Sequence, residues 1–352
     1  LMTLVVIFVL AMCYAQRWAD PDLWGHLVFG RDYIRAGRVL TRDPYSYTAY
    51  GGVWHGHEPF FEFRFWLVYQ YGGVIGLIAA KTLMGLGAAL FVWLSMGPIA
   101  IPGRLKAHVF LFATLIFSYY LQIRPQLYTY IFLAAHSWIL FGWRAGGGWK
   151  RLLALPLLIL PWANAHGGYM AGLGLSFLYF LGGALDCLRA PDAERRAALR
   201  SLVALAAAGL ASGAVSLLNP IGIHLWSTFF RALSNPFTHK HILDWRPLPF
   251  PPDKLAYFAY YIYAGAFLVF FCPAQAKRPS PSAILISAVG LLMPLHGVRH
   301  VPLSAIILAP FFAEAIGIRL EASAASGGQA RLRSERTLRL LAAMTAILCA
   351  VA

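Results

Sequence analysis

The chain of 352 residues is 59% hydrophobic and only 12% charged, with a mean hydropathy of +0.63. Soluble globular domains carry about 25% charged residues, so this composition excludes a soluble protein and predicts one that is surrounded by membrane lipids. The formal net charge of +15 would suit a nucleic-acid-binding protein. Its lysines and arginines are scattered through short segments between apolar runs, however, so we expect no nucleic-acid partner.

Apolar runs close to the ~20 residues that cross a bilayer recur along the whole length. They predict about eleven transmembrane helices, near residues 1–16, 74–97, 106–123, 125–143, 151–163, 168–187, 198–218, 255–273, 282–297, 300–318 and 337–352. We therefore predict an all-α polytopic membrane protein with a single transmembrane domain over residues 1–352. The chain begins with Leu and ends inside an apolar run, so we expect further residues at both ends.

The distribution of basic residues predicts the orientation. With the N-terminus in the cytoplasm, each of the five connections on the inner side carries at least two lysines or arginines. The short connections on the outer side carry at most one, which is the asymmetry of the positive-inside rule. Two outer segments are long, residues 17–73 and 219–254. In the first, residues 22–36 have apolar side chains at helical spacing, which predicts a helix lying in the membrane interface.

Acidic residues concentrate in these long outer segments. Eight of the fourteen lie there: Asp20, Asp22, Asp32, Asp43, Glu58, Glu62, Asp244 and Asp253. Asp20 and Asp22 directly follow the first apolar run, where a partly buried carboxylate could act as a general base. The alternative is that one of them caps the N-terminus of the interfacial helix.

A second cluster comprises His55, His57 and Glu58, with Asp43 in the preceding turn. These side chains could hold a divalent metal or a sugar diphosphate, although chelation would need further ligands from elsewhere in the fold. The sequence establishes no cofactor, and a divalent metal is the one candidate. The four cysteines form no CxxC pair, so we expect neither a disulfide framework nor a zinc site.

Several polar residues fall at the predicted outer ends of helices: Arg124, Asn164, His166, Arg299 and His300. Ionisable groups at membrane depth are costly and usually face a cavity. Arginine suits a phosphate because its planar guanidinium offers paired donors to two oxygens. The alternative is that these side chains only snorkel to the interface. In the later outer segment, Asp244 and Arg246 could contact an acceptor or form a local salt bridge.

The order of these motifs resembles a known superfamily. The motifs are Asp20-x-Asp22-x-Trp24-x-His26-Leu27, Asp43-Pro44-Tyr45-Ser46, Arg124-Pro125-Gln126, Asn164-x-His166-Gly167, Leu218-Asn219-Pro220-x-Gly222, Asp244-Trp245 and Arg299. In this order the chain resembles bacterial membrane glycosyltransferases of the GT-C superfamily, close to the protein mannosyltransferase and aminoarabinose transferase type. The resemblance spans nearly the whole chain.

The resemblance implies an inverting glycosyltransferase of the bacterial inner membrane, with its active site facing the periplasm or exterior. The donor would be a polyprenyl-phosphate-linked sugar, and the acceptor a lipid, a glycan or a protein. Asp20 would be the general base, with Asp22 its competitor. Arg124, Arg299 and His300 would bind the donor phosphate. The remaining polar residues of the motifs would line the active-site cavity: His26, Asp43, His55, His57, Glu58, Asn164, His166, Asn219 and Asp244.

Two other functions stay open for a chain of this kind. A transporter or flippase for a lipid-linked saccharide would need charged residues at mid-depth and paired repeats with broken helices. A non-catalytic assembly subunit could keep the fold after losing the chemistry.

Overall fold

The computed structural model describes residues 2–271 and 279–325, together with the isolated residues 339 and 343. Over this part of the chain the structure is helical, and its only extended pairings are the isolated bridges Ala19–Ile123 and Arg42–Val53. The all-α prediction is thereby confirmed for the described residues.

The α-helices are α1 (Met2–Tyr14), α2 (Leu23–Ala36), α3 (Pro59–Ser95), α4 (Gly103–Ser118), α5 (Gln126–Arg144), α6 (Ala154–Ala165), α7 (Tyr169–Arg189), α8 (Asp192–Val215), α9 (His224–Ser234), α10 (Pro236–His241), α11 (Leu255–Phe271), α12 (Pro281–His296) and α13 (Val301–Ala325). Short 3-10 turns at Trp149–Leu153, Leu243–Trp245 and Val298–His300 precede α6, follow α10 and precede α13.

Within the described residues, four helices are long and apolar enough to cross a membrane: Pro59–Ser95, Tyr169–Arg189, Asp192–Val215 and Val298–Ala322. Two shorter apolar helices, Leu255–Phe271 and Pro281–His296, accompany them. Membrane character is supported, but the predicted count of about eleven spans is not confirmed, because several predicted runs form helices of fewer than 18 residues. The predicted helix at 337–352 lies outside the described residues, apart from the two isolated positions.

Helix α3 begins earlier than the sequence suggested. We placed residues 59–73 in the first outer segment, whereas the structure continues them into α3 through a break at Gly73, where φ is 55°. Glycine tolerates this conformation because it has no Cβ. Glu62 and Arg64 interrupt the apolar pattern before the break, which is why this first part of the helix does not look like a membrane span in the sequence.

The centre of the bundle is α13, which is buried on nearly all sides. Ala305, Leu308 and Phe312 are each 0% exposed, and a helix that is apolar all round belongs in the interior. Helices α4, α5, α11 and α12 pack around it. Its buried start fixes the position of the 3-10 turn at Val298–His300 at one end of the bundle.

Successive long helices run between two ends of the bundle. At one end Arg144 donates to both carboxylate oxygens of Glu314, at 3.0 and 3.1 Å, and to the hydroxyls of Ser280 and Ser282. Several of the basic connections also lie at this end, among them the one that follows Arg144. The opposite end gathers the two long segments between helices, and every residue of the site described below lies there.

Close packing of α2 on the first part of α3 predicts a steric effect at Gly30. A Cβ there would lie 2.0 Å from the carbonyl oxygen of Glu62, so one of the two helices must shift. We expect Gly30→Ala to lower stability by about 1–3 kcal/mol, measured as the thermal unfolding midpoint of the purified protein in detergent. Gly174→Ala is the matched control, since a Cβ at that exposed helical position meets nothing within 4 Å. Equal midpoints for both variants would contradict the packing described here.

Candidate active site

One guanidinium joins the two long outer segments. The backbone N–H of Ile123 donates to the carbonyl of Trp18 at 3.3 Å, which places the segment after α4 beside the segment after α1. Arg124 then donates from Nη1 to Asp20 Oδ2 at 3.1 Å and from Nη2 to Asp244 Oδ2 at 2.6 Å. Arg124 is therefore held by a carboxylate from each of the two segments.

A second cation lies beside the first. The backbone N–H of Val298 donates to the carbonyl of Arg246 at 2.9 Å, so the turn before α13 is fixed to the second long segment. The guanidinium carbon of Arg299 stacks over the Trp245 ring at 4.4 Å from its centroid. Arg299 forms no ion pair with a carboxylate of the described chain, so its donors remain for a ligand.

Glu58 lies at the start of α3, among three histidines. Its side chain is 10% exposed, and its oxygens lie 3.9 Å from His26 Nε2, 3.8 Å from His57 Nε2 and 3.9 Å from His166 Nε2. His26 Nδ1 lies 3.1 Å from Glu62 Oε1, one helical turn further along α3. Proline at the first position of α3 fixes the helix start, and with it the direction of Glu58.

Burial and neighbouring charges shift the pKa values of Glu58, His26 and His166 in different directions. Burial raises the pKa of Glu58, and the positive charges of His57 and His26 only partly oppose it. Burial lowers the pKa of His26, but the hydrogen bond with Glu62 and the charge of Glu58 outweigh it, so the pKa is raised overall. The pKa of His166 is well below its ordinary value because of burial and the charges of Arg299 and Arg124. His166 is thus neutral at neutral pH.

The hydrogen bonds of His166 fix which ring nitrogen carries the proton. The backbone N–H of Gly168 donates to Nδ1 at 3.0 Å, and the hydroxyl of Thr129 lies 2.7 Å from the same atom. Trp162 Nε1 donates to that hydroxyl at 3.1 Å. Since Nδ1 accepts hydrogen bonds, the ring proton is on Nε2, which faces Glu58.

These groups line a cavity of about 430 Å³. Its polar end consists of His57, Glu58, His166, Arg299 and His300. Its other wall is apolar and comes from α9, α12 and the start of α13, with Leu225, Phe229, Leu233, Met293 and Leu303. A cavity with a cation and a carboxylate at one end and an apolar wall at the other suits an amphiphile with a phosphate.

The other predicted site residues lie beside the cavity or stabilise segments near it. Asp20, Arg124 and Asp244 form the ion-pair group adjoining the polar end, and His26 lies behind Glu58. Asp22 is exposed and forms no side-chain hydrogen bond that caps α2, while its backbone N–H donates to Asp20 Oδ1 at 3.0 Å.

Four further candidates have local structural contacts. Asp43 accepts hydrogen bonds from the backbone N–H groups of the next turn, and Asn219 does the same one residue before Pro220. The ring of His55 lies 6.3 Å from that of His224. Asn164 donates to two backbone carbonyls, and it lines a second cavity. Their assignment to the active-site cavity remains a prediction.

Several residues of the site were missed in the sequence. Glu62 was noted only as an outer acid, although its spacing of four residues from Glu58 on one helix places both carboxylates on the same face. Thr129 and Trp162 orient His166. No signal in the sequence distinguishes these two from ordinary packing residues, because their role depends on contacts between distant segments. Trp245 belongs to the motif Asp244-Trp245, but the motif does not indicate that its ring supports Arg299.

For a divalent metal, the fit can be tested on the side chains themselves. Within the described residues, no group of three or more His, Cys, Asp or Glu side chains is placed to hold a metal ion. Asp20 and Asp244 already share the guanidinium of Arg124. A divalent metal at His55, His57 and Glu58 therefore gains no support from the described side chains, and it stays a prediction from the sequence.

The fold of the chain is similar to that of solved membrane oligosaccharyltransferase structures. The solved structures with this fold include the archaeal oligosaccharyltransferase AglB from Archaeoglobus fulgidus in complex with an inhibitory peptide and a dolichol-phosphate. It matches with a TM-score of 0.63 and 11% sequence identity, over 97% of this chain and 55% of that chain.

Two further structures of the Archaeoglobus fulgidus oligosaccharyltransferase match as well. The apo form has a TM-score of 0.59 at 13% identity, over 97% of this chain and 56% of that one. The form tethered to an acceptor peptide has a TM-score of 0.60 at 12% identity, over 98% of this chain and 55% of that one. At such identities the likeness concerns the fold alone, and this chain spans about half the length of those structures. No protein-family model and no curated protein sequence matches the chain.

The shared guanidinium predicts a coupled loss of stability. In Arg124→Met the side chains of Asp20 and Asp244 lose their partner in a partly buried site, and we expect a loss of about 1–3 kcal/mol, less than for a fully buried pair because water screens it. The measurement is thermal unfolding in detergent. Combining Arg124→Met with Asp20→Asn and Asp244→Asn should recover part of the lost stability.

The matched control for that experiment is Arg195→Met. Arg195 pairs with Asp192 at 2.8 Å, but the Asp192 side chain is 91% exposed. We expect a change within about 0.5 kcal/mol there. A loss at Arg195 equal to that at Arg124, or no recovery in the triple variant, would show that the ion-pair group does not join the segments.

Proposed function

We propose that this chain is an inverting glycosyltransferase that transfers a sugar from a polyprenyl-phosphate carrier to an acceptor hydroxyl at the outer face of a membrane. The observation that carries the proposal is the cavity that combines the unpaired cation of Arg299 and the buried carboxylate of Glu58 with an apolar wall. A lipid-linked sugar phosphate requires all three features in one place.

The cation end suits the leaving group. When the bond between the anomeric carbon and the phosphate oxygen breaks, negative charge grows on the phosphate, and a preorganised guanidinium stabilises that charge. Arg299 lines the cavity without a carboxylate partner among the described residues, whereas Arg124 is already held by Asp20 and Asp244. We therefore assign the primary phosphate contact to Arg299, with Arg124 adding positive charge behind it and His300 beside it.

The apolar wall suits the carrier chain. One face of α9 presents Leu225, Phe229 and Leu233 to the cavity. Ile223 and Trp226, near the start of the same helix, line a groove of about 640 Å³ between α7 and α8. A polyprenyl chain lying in this groove would remain in apolar surroundings while its phosphate reached Arg299. The AglB structure that shares this fold holds a dolichol-phosphate, which is a lipid phosphate of the same chemical class.

Geometry favours Glu58 over Asp20 as the general base. Glu58 lines the cavity, and burial raises its pKa toward the range in which a carboxylate accepts a proton efficiently. Asp20 directs an oxygen at Arg124, outside the lining of the cavity. Asp20, which the resemblance implied as the base, then becomes a residue that positions Arg124, and the variants below distinguish the two assignments.

The reaction is a single displacement. The acceptor oxygen forms a bond to the anomeric carbon from the face opposite the phosphate, and its proton passes to Glu58. The bond from the anomeric carbon to the phosphate oxygen breaks, and its electron pair leaves with the polyprenyl phosphate beside Arg299. His166 is neutral, and its Nε2 lies 3.9 Å from a Glu58 oxygen, so it borders the carboxylate without adding charge.

The cellular setting follows from the charge distribution. We propose that the N-terminus is cytoplasmic and that the site faces the periplasm or exterior of a bacterial inner membrane, because the basic connections lie at the end opposite the cavity. The acceptor is a lipid, a glycan or a protein at that face, and a divalent metal requirement is tested by adding a chelator to the same assay.

The base assignment predicts different outcomes for three carboxylates. We expect Glu58→Gln to reduce kcat by about 100-fold or more, since the proton acceptor is removed. Asp20→Asn should keep kcat within a few-fold while raising KM for the donor. Asp22→Asn, exposed at the start of α2, is the control and should behave as wild type. The assay measures release of polyprenyl phosphate from a panel of lipid-phosphate sugars mixed with membrane extract.

Other outcomes would change the assignment. If Asp20→Asn alone loses activity while Glu58→Gln remains active, Asp20 is the base. Release of no polyprenyl phosphate from any donor, by wild type and variants alike, would contradict the transferase function and favour an assembly or transport role.

The raised pKa of Glu58 also predicts the pH dependence. The base acts in its deprotonated form, so activity is lost as pH falls through the pKa of Glu58. Because burial raises this pKa, the acid limb of kcat/KM should lie above the ordinary value of 4.5. The measurement is a pH profile of polyprenyl phosphate release, with Asp20→Asn as control, which should keep the same limb. A wild-type limb at or below 4.5 would exclude Glu58 as the base.

A further inference from the structure

A second cavity lies at the same end of the bundle and is not used by the donor. It has a volume of about 750 Å³ and opens between the end of α2, the start of α3 and the end of α6. Its lining includes Ile34, Val39, Phe60, Phe63, Leu160 and Asn164. This lining is mostly apolar, so the cavity suits a hydrocarbon chain with a small polar group.

The wall between the two cavities is thin at the proposed base. Glu58 lines the first cavity and the next residue, Pro59, lines the second. On the facing side, His166 lines the first cavity and Asn164 lines the second. A hydroxyl at the inner end of the second cavity would therefore approach Glu58 from a different side than the donor does. Inversion then requires its oxygen to reach the anomeric carbon from the face opposite the phosphate.

The mouth of the second cavity is on the lipid-facing surface of the helices. Ile34, Phe63 and Leu160 line it and are 38%, 45% and 36% exposed. Large apolar side chains that remain exposed on a membrane protein contact lipid chains. An occupant of this cavity can thus enter sideways from the bilayer, whereas a soluble peptide would have to cover these side chains.

The rim carries positive charge. Arg38 lines the cavity, and the guanidinium carbon of Arg64 lies 4.9 Å from the ring centroid of Phe60, which also lines it. Both arginines are exposed, and neither forms an ion pair with a carboxylate of the described chain. Basic side chains beside a membrane-facing pocket attract anionic lipid headgroups.

Resting on the proposed function, we infer that the second cavity binds the acceptor and that this acceptor is an anionic membrane lipid with a free hydroxyl group. Its chains occupy the apolar lining, its charged group meets Arg38 and Arg64, and its hydroxyl lies beside Glu58. The hydroxyl oxygen forms the new glycosidic bond, its proton passes to Glu58, and polyprenyl phosphate leaves in the first cavity.

The binding test is independent of catalysis. The full chain is placed in phosphatidylcholine nanodiscs containing a phosphatidylglycerol with a diazirine in one acyl chain, and after irradiation the labelled residues are mapped by mass spectrometry. We expect labelling at Val39 and Phe60, inside the cavity. Leu160→Trp, which places a larger ring in the lining and narrows the cavity, should reduce this labelling at least threefold. Leu157→Trp is the matched control on the same helix, because Leu157 is 71% exposed and outside the lining.

The charge requirement is tested with the same probe. Arg38→Gln combined with Arg64→Gln should abolish the preference of the cavity for the phosphatidylglycerol probe over a phosphatidylcholine probe with the same diazirine. Equal labelling in Leu160→Trp and Leu157→Trp, labelling confined to the α7–α8 groove, or no preference in the wild type would each overturn the inference.

The transfer assay then separates this inference from the proposed function. With an anionic hydroxyl-bearing lipid as acceptor, Leu160→Trp should lose transfer and still bind polyprenyl phosphate, while Leu157→Trp keeps both. Labelling in the second cavity without transfer from any donor would contradict the proposed function and leave the lipid site standing. Transfer to a soluble peptide that is unaffected by Leu160→Trp would support the transferase and refute the lipid acceptor.

Discussion

The end of the bundle that carries the two cavities depends on the guanidinium of Arg124. Its two donors hold Asp20, from the segment after α1, and Asp244, from the segment after α10, at 3.1 and 2.6 Å. These segments are more than two hundred residues apart, and neither is regular enough to position itself. Because the second segment also fixes the turn that carries Arg299, the arrangement of both cations at the cavity follows from this one ion-pair group.

The buried carboxylate of Glu58 is the second constraint. An isolated charge at this depth would be costly, and a carboxylate responds to burial by holding its proton more readily. The charges of His57 and His26, whose ring nitrogens lie 3.8 and 3.9 Å from its oxygens, oppose this effect only in part, and His166 at 3.9 Å stays neutral. The result is a buried carboxylate whose affinity for a proton is raised, which is what the general base of the proposed transferase requires.

The sequence predicted the all-α class and the apolar helices, because a bilayer requires long apolar runs and those runs are visible in the sequence. The predicted count of about eleven spans is not confirmed. It misplaced the start of α3, since Glu62 and Arg64 interrupt the pattern although residues 59–72 are helical. It named Arg124, Glu58 and Arg299 as polar groups at one face, because polar residues beside membrane helices are rare. Which of them pair and which stay unpaired depends on contacts between segments far apart in sequence, and no local pattern contains that information.

Glu58 stands where the two cavities come close together. It directly precedes Pro59, the first residue of α3, and its oxygens lie within 4 Å of His26 on α2 and of His166 after α6. Glu58 borders the first cavity, and Pro59 borders the second. The proposed transfer between two amphiphiles uses this geometry, because each keeps its chains in the bilayer and only their polar groups have to meet.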